Sequence, residues 1–135
     1  MGFRWREFAS LADLLDSIGP NNRFGVGREA LLRSGMSRLY YAAFHHARNR
    51  AATRGWYKPE LNSKDHGALP AVLKKHADSG AKLTGRQLNT MRTFRNVCDY
   101  DLPAVFPSSL PGVQIDPETA FQQMKRMYQT VTVNI

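Results

Sequence analysis

The chain has a single cysteine, Cys98, among its 135 residues. One thiol can form neither an intramolecular disulfide nor a cysteine-based zinc cluster. That suits a reducing compartment, so the expected location is the cytoplasm, with Cys98 as a small buried hydrophobe. Long apolar runs are missing too. No stretch reaches the ~20 residues of a membrane span. The opening MGFRWREFASLADLLDSIG is broken by charges and has no apolar core for secretion. Arg6 stands where a myristoylation pattern needs Ser or Thr. No membrane partner is expected. Walker loops, dinucleotide glycine fingerprints and GxSxG elbows are absent, and Gly25-Val26-Gly27 precedes a helix without a strand before it. No two histidines combine metal-ligand spacing with a carboxylate. The adjacent His45 and His46 point ~100° apart on a helix. Neither a metal nor a cofactor is therefore expected.

Acidic residues are also scarce. Eleven Asp and Glu face nineteen Lys and Arg, a net charge of +8. A small basic protein favours anionic partners: nucleic acid, an acidic protein or an anionic membrane surface. Arginine dominates the charge, and its planar fork suits phosphate and base stacking. The arginines are spread around the second helix and not gathered opposite a lipid-facing side, which argues against the membrane surface. Hydrophobic residues at 42% and charged residues at 22% describe an ordinary globular chain. Its length suits one domain over residues 1–135.

What is present is helical periodicity. Trp5, Phe8, Leu11, Ala12, Leu15 and Ile18 fall on one stripe, predicting an N-terminal accessory helix within residues 1–20, stopped by Gly19-Pro20. The longest helix is expected from about Arg28 to Arg54, with Leu32, Met36, Leu39, Tyr40, Ala43, Phe44, Ala47 and Ala51 on one face. Gly35 is its weak point, costing about 1 kcal/mol relative to Ala. A third helix is expected over about 65–79, with Leu69, Val72 and Leu73 apolar and Pro70 starting or kinking it. Gly80 would end it. Thr84 and Gln87 look like a capping box opening a fourth helix to about Asp101, with Leu88, Met91, Cys98 and Leu102 as its stripe and Phe94 beside it. A proline-rich connection, 103–115, carries Pro103, Pro107 and Pro111. Asp116-Pro117-Glu118 opens the last helix, whose β-branched tail is expected to be frayed or extended. The fold class is all-α, an up-and-down bundle of four to five helices.

Two faces carry chemistry. Opposite the apolar side of the second helix lie Ser34, Arg38, Tyr41, His45 and Arg48, able to hold a phosphate and stack a base. An ordinary solvated face fits the same spacing. On the fourth helix Arg95 falls inside the apolar stripe. A charge there needs a partner, and Asp99 one turn on supplies one. The pair is either a packing device or part of a site. His66-Gly67 marks an anion-binding helix start, or His66 is a capping or surface histidine.

The segment Ser37-Arg38-Leu39-Tyr40-Tyr41-Ala42-Ala43-Phe44-His45-His46-Ala47-Arg48 resembles the SRxYYAxFHxAR helix of HEPN domains. Arg95-Asn96-Val97-Cys98-Asp99-Tyr100-Asp101 is similar to their later RNxxDYD signature, and His66-Gly67 to an intervening Lys-His-Ser/Gly element. The resemblance spans roughly residues 28–128. It implies a helical bundle that is usually a homodimer. In nuclease members an Arg-x4–6-His motif from each subunit cleaves RNA without metal, and many members pair with a minimal nucleotidyltransferase antitoxin. Here the positions after Arg95 hold Asp99, Tyr100, Asp101 and Leu102, none of them histidine. A tyrosine of ordinary pKa, about 10, is a poor base at neutral pH.

The resulting expectation is an RNA- or nucleotide-binding module, with a metal-independent ribonuclease or toxin component of degenerate motif as its catalytic form. Arg95, His45 and His66 are the catalytic candidates. Arg38, Tyr41, Arg48, Asp99 and Tyr100 are the binding candidates. The competing expectation is a non-catalytic protein-interaction module of a toxin–antitoxin or defence complex.

Overall fold

The apolar periodicities resolve into five helices in the computed structural model, which describes residues 3–100, 106–108 and 112–135. They are α1 (Arg6–Ser17), α2 (Arg28–Thr53), α3 (Asp65–Lys74), α4 (Ser79–Tyr100) and α5 (Pro117–Asn134). The arrangement is an all-α bundle. None of these helices is long and apolar enough to cross a membrane.

The centre is α2, which packs against α1, α4 and α5, while α3 packs on α4. All eight residues of its expected apolar face are buried. Cross-contacts give the directions. Trp5 meets His45 and Asp16 meets Arg28, so α1 runs antiparallel to α2. Arg95 meets Tyr41 and Cys98 meets Met36, so α4 is antiparallel to it as well. Arg28 meets Glu118 and Arg54 meets Ile135, so α5 runs parallel to α2. The four long elements therefore go up, down, up, down, with the short α3 between α2 and α4.

Arg28 ties three helix ends together. It donates to the Asp16 carboxylate and carbonyl and to both oxygens of Glu118, at 2.6–3.0 Å. Gly35 has a packing reason that composition could not show. A Cβ there would sit 2.7 Å from the Phe121 ring, so the missing side chain lets α5 seat on α2.

Several boundaries differ from the sequence reading. α3 ends at Lys74, and Gly80 lies inside the first turn of α4. The cap of α4 is Asp78, whose carboxylate accepts from the Ala81 N–H at 3.0 Å and whose carbonyl accepts from Lys82. Thr84 is instead fully buried in mid-helix with its hydroxyl unsatisfied among the described residues. A Thr-x-x-Gln pattern carries no information about which capping residue upstream has already begun the helix. The tail is helical to Asn134, with Val131 and Ile135 buried, so packing overrides β-branched propensity. Leu11 and Val72 are exposed at 38% and 37%, although periodicity placed both inward, whereas Phe94 is buried. Asp116 caps α5 as expected, accepting from the Thr119 N–H. In the connection, Phe106 is fully buried and forms an isolated antiparallel bridge with Ile115. Asp101, Leu102, Pro103 and Pro111 lie outside the described residues.

Candidate functional site

The antiparallel crossing of α2 and α4 brings Arg95 under two tyrosines. Its guanidinium lies 5.1 Å from the Tyr40 ring centre and 5.7 Å from that of Tyr41, within cation–π range. Nη1 donates to the Tyr41 hydroxyl at 3.4 Å and sits 3.9 Å from the Asp99 carboxylate. The Ser37 hydroxyl donates to the same Asp99 oxygen, Oδ2, at 3.4 Å. Arg38, one turn before Tyr41, covers the Tyr41 ring at 5.3 Å and the Phe8 ring of α1 at 4.8 Å. Arg38 and Asp99 line a groove of about 360 Å³ with Leu11, Leu15, Ser34 and Ser37.

His66 joins the same cluster from the start of α3. Its ring stacks on Phe44 with centroids 4.1 Å apart, and its Nδ1 lies 2.6 Å from the Tyr40 hydroxyl. Pro70 helps to hold it. Proline has no N–H to give the carbonyl four residues back, and that carbonyl, of His66, accepts instead from Arg92 Nη1 at 3.3 Å. Burial, followed by the positive charges of Arg95 and Arg92, lowers the pKa of His66. Burial also raises the Tyr40 phenol to about 12, against the opposing pull of Arg95 and Arg92. At neutral pH the phenol keeps its proton and the imidazole is neutral. If the phenol donates to Nδ1, the other ring nitrogen carries the proton and is a donor toward an anion. In the opposite tautomer Nε2 is a base.

His45 occupies the α1 side. Trp5 lies flat on it, with centroids 3.4 Å apart and planes 13° from parallel. Burial, then the charge of Arg48, lowers its pKa to about 4. Arg48 is drawn toward Asp65, at 3.9 Å, and over the Phe44 ring at 5.7 Å. The structure thus gathers Arg38, Tyr41, Arg95, Asp99 and His66 closely, with His45 and Arg48 flanking. Tyr100 stays apart. It is 75% exposed, since five residues after Arg95 is more than a full helical turn.

Some residues of this site carried no local signal. Asp65 is fully buried, accepting from the Tyr57 hydroxyl and from the Glu60 and Leu61 N–H groups at 2.9 Å. It pins the 56–64 loop and the residue next to His66. Periodicity puts Tyr40 in the apolar core, but its hydroxyl reaches His66. No sequence pattern links Arg92 or Trp5 to a site by itself. Spacing alone could have placed only Arg92, which shares the α4 face of Arg95 at three residues' separation.

Six buried side-chain nitrogens or oxygens lack a partner among the described residues, and four belong to this cluster: His45 Nδ1 and the Nε atoms of Arg48, Arg92 and Arg95. Each such group costs about 1–3 kcal/mol, so the strain of polar burial is concentrated here. Among the described residues no group of three His, Cys, Asp or Glu gathers as metal ligands. Cys98 is buried and its thiol is pushed up to about 12, which leaves it unreactive. Comparisons with family models, curated proteins and solved structures find no match to this chain.

Proposed function

We propose that the α2–α4 cluster is an RNA-binding site of HEPN type, working in a homodimer and able to cleave RNA without metal. The observation that carries this reading is the position of His66. The α4 motif has no histidine after Arg95, yet the fold sets an imidazole on the same tyrosine that packs against Arg95. Arg95 and Arg38 hold phosphate, and Tyr41 offers a ring for a base. Neutral His66 accepts the 2′-hydroxyl proton through Nε2 as the 2′-oxygen bonds to the adjacent phosphorus, the P–O5′ bond breaks and the departing 5′-oxygen takes a proton from water, while Arg95 stabilises the charge that develops on the phosphoryl oxygens. Asp99 orients Arg95. A second copy of the chain completes the cleft, and a minimal nucleotidyltransferase antitoxin is the partner class that the HEPN resemblance suggests.

The test is binding and cleavage of single-stranded and structured RNA in EDTA, with wild type, Arg95→Ala and His66→Ala. Wild type is expected to bind, and Arg95→Ala to weaken binding by about ten-fold, the loss of one charge-assisted contact. Cleavage should vanish in His66→Ala while binding persists. Undiminished RNA binding by folded Arg95→Ala would sink the reading.

A protein-docking role is the second reading. It is favoured by Leu11 and Leu14, 38% and 60% exposed on α1, the helix that borders the Arg38–Asp99 groove. In that case the cluster fixes packing and α1 meets the partner. Folded wild type that neither binds nor cleaves RNA would favour it.

A further inference from the structure

Trp5, which stacks on His45, also lines a second cationic pocket. The pocket has a volume of about 470 Å³ and is walled by the start of α1, the Ala42–Arg50 face of α2 and Tyr128 of α5. Among the described residues three arginines line it, Arg4, Arg6 and Arg50, and no carboxylate does. Arg6 and Arg50 form no ion pair among the described residues, and the Arg4–Glu7 contact, at 3.3 Å, joins two exposed side chains and holds them weakly. The pocket also has aromatic walls in Phe3, Trp5 and Tyr128. His46 completes it, with a buried Nε2 that has no hydrogen-bond partner among the described residues.

Unneutralised arginines in a concave site call for an anion, and a phosphate matches their fork geometry. Aromatic rings beside that charge suit a planar base; Trp5 already has one face on His45 and meets Phe3 edge to face, and Tyr128 lines the same pocket. A pocket of this size holds one small ligand and not a helix or strand. We propose that this pocket binds a nucleoside 5′-monophosphate, free or as the 5′ end of an RNA strand. Arg6 and Arg50 grip the phosphate, the aromatic walls receive the base, and His46 Nε2 faces the ligand. Much of the pocket comes from residues 3–6, ahead of both motif segments. Its occupancy does not depend on the reading of the α2–α4 cluster.

Adenosine 5′-monophosphate is the probe, titrated by calorimetry against wild type, Arg6→Ala, Arg50→Ala and Arg95→Ala, with adenosine as the uncharged comparison. Arg6 and Arg50 make no ion pair among the described residues, so both variants should fold, which circular dichroism checks. Expected results are binding by wild type, about ten-fold weaker binding by adenosine and by each pocket variant, and no change in Arg95→Ala. The His46 ring protons, followed by NMR, should titrate at higher pH when the phosphate is bound. A matched pair of short RNAs, 5′-phosphorylated and 5′-hydroxyl, separates the two sources. An Arg50-dependent preference for the phosphorylated end names the strand terminus, and Arg50-dependent binding of the mononucleotide alone names the free nucleotide. Equal affinity for adenosine and its monophosphate would overturn the proposal. So would indifference to both arginine substitutions, or loss of binding in Arg95→Ala alone, which would move the ligand to the other cluster.

Discussion

Asp65 offers the sharpest test of how the site is held. Its carboxylate is fully buried and accepts three hydrogen bonds, from the Tyr57 hydroxyl and the N–H groups of Glu60 and Leu61, with Arg48 at 3.9 Å. Leu61 has a positive φ of 62°, a conformation costing a non-glycine residue about 1–2 kcal/mol. The bond from its N–H to Asp65 helps to offset that cost. Asp65→Asn keeps the shape but replaces one oxygen with an NH2 group. If Oδ1 keeps its two donors, the new amide faces the Leu61 N–H, donor against donor. One bond to a charge is lost, worth about 1.5–3 kcal/mol, and the two survivors weaken to neutral bonds. The expected loss is about 3 kcal/mol, a large share of the roughly 5–15 kcal/mol of a typical domain. Urea unfolding at pH 7 should show a lower midpoint with an unchanged slope. Burial alone would raise the Asp65 pKa, but the hydrogen bonds from Tyr57, Glu60 and Leu61 overcome it, and the net shift is downward. Its folded pKa thus lies below the unfolded value of about 3.9. The difference between wild type and Asp65→Asn should therefore persist above that pH and shrink only as pH falls through the lower folded value. A loss under about 1 kcal/mol at pH 7 would mean that the loop is held by something else, and the argument for a pinned His66 would fail with it.

Gly35→Ala should destabilise the protein by about 1–3 kcal/mol through overpacking, despite alanine's better helix propensity, because the new Cβ lands 2.7 Å from the buried Phe121 ring; a thermal melt that rises would refute the seating of α5. His45 predicts acid sensitivity. Its folded pKa of about 4 lies below the ordinary 6.5, burial being the first cause, so the unfolded chain takes the proton first and stability falls as pH drops from about 6.5 to about 4. The ring's partial exposure and screening hold the loss to about 1–2 kcal/mol. Trp5→Ala should uncover the ring and return its NMR titration toward 6.5, and an unchanged titration would place the cause of the shift elsewhere.

Much of the bundle could be read from spacing, because a helix face repeats. The buried face of α2 agrees residue by residue with its period, and the Asp116-Pro117 cap of α5 is a local signal with a local outcome. The misreadings come where a local signal had a tertiary competitor. Thr84 looked like a cap, but Asp78 begins α4 two turns earlier. Gly80 looked like a stop, but it admits the Asn134 carbonyl, which a Cβ would meet at 2.8 Å. Leu11 fits the apolar period of α1, and the bundle leaves it at the rim. In the site, Arg95 and Asp99 could be paired from their four-residue spacing. The link from Tyr40 to His66 spans 26 residues, and no period reports such a distance.

For the proposed RNA cleavage, the missing motif histidine weighs less if His66 serves in its place. What proton transfer asks of a residue is a neutral imidazole near an immobile cation, and the chain position of that imidazole is secondary. The surroundings of Arg95 satisfy the second half of that demand: two aromatic rings, a tyrosine hydroxyl and a carboxylate confine its guanidinium. The first half depends on which His66 nitrogen is protonated. Tyr40→Phe separates the two tautomers. Where the phenol donates to Nδ1, wild-type His66 can only donate from Nε2, and removing the hydroxyl frees the ring to reach the base tautomer, so any cleavage rises. Where Nδ1–H donates to the phenol oxygen, the hydroxyl holds the base tautomer in place, and its removal lowers cleavage. In both cases the Phe44 stack keeps the ring in position, so RNA affinity should move by less than about five-fold, the weight of one neutral hydrogen bond. A large loss of affinity in Tyr40→Phe would instead tie the phenol to the ligand and remove it from any role in orienting His66.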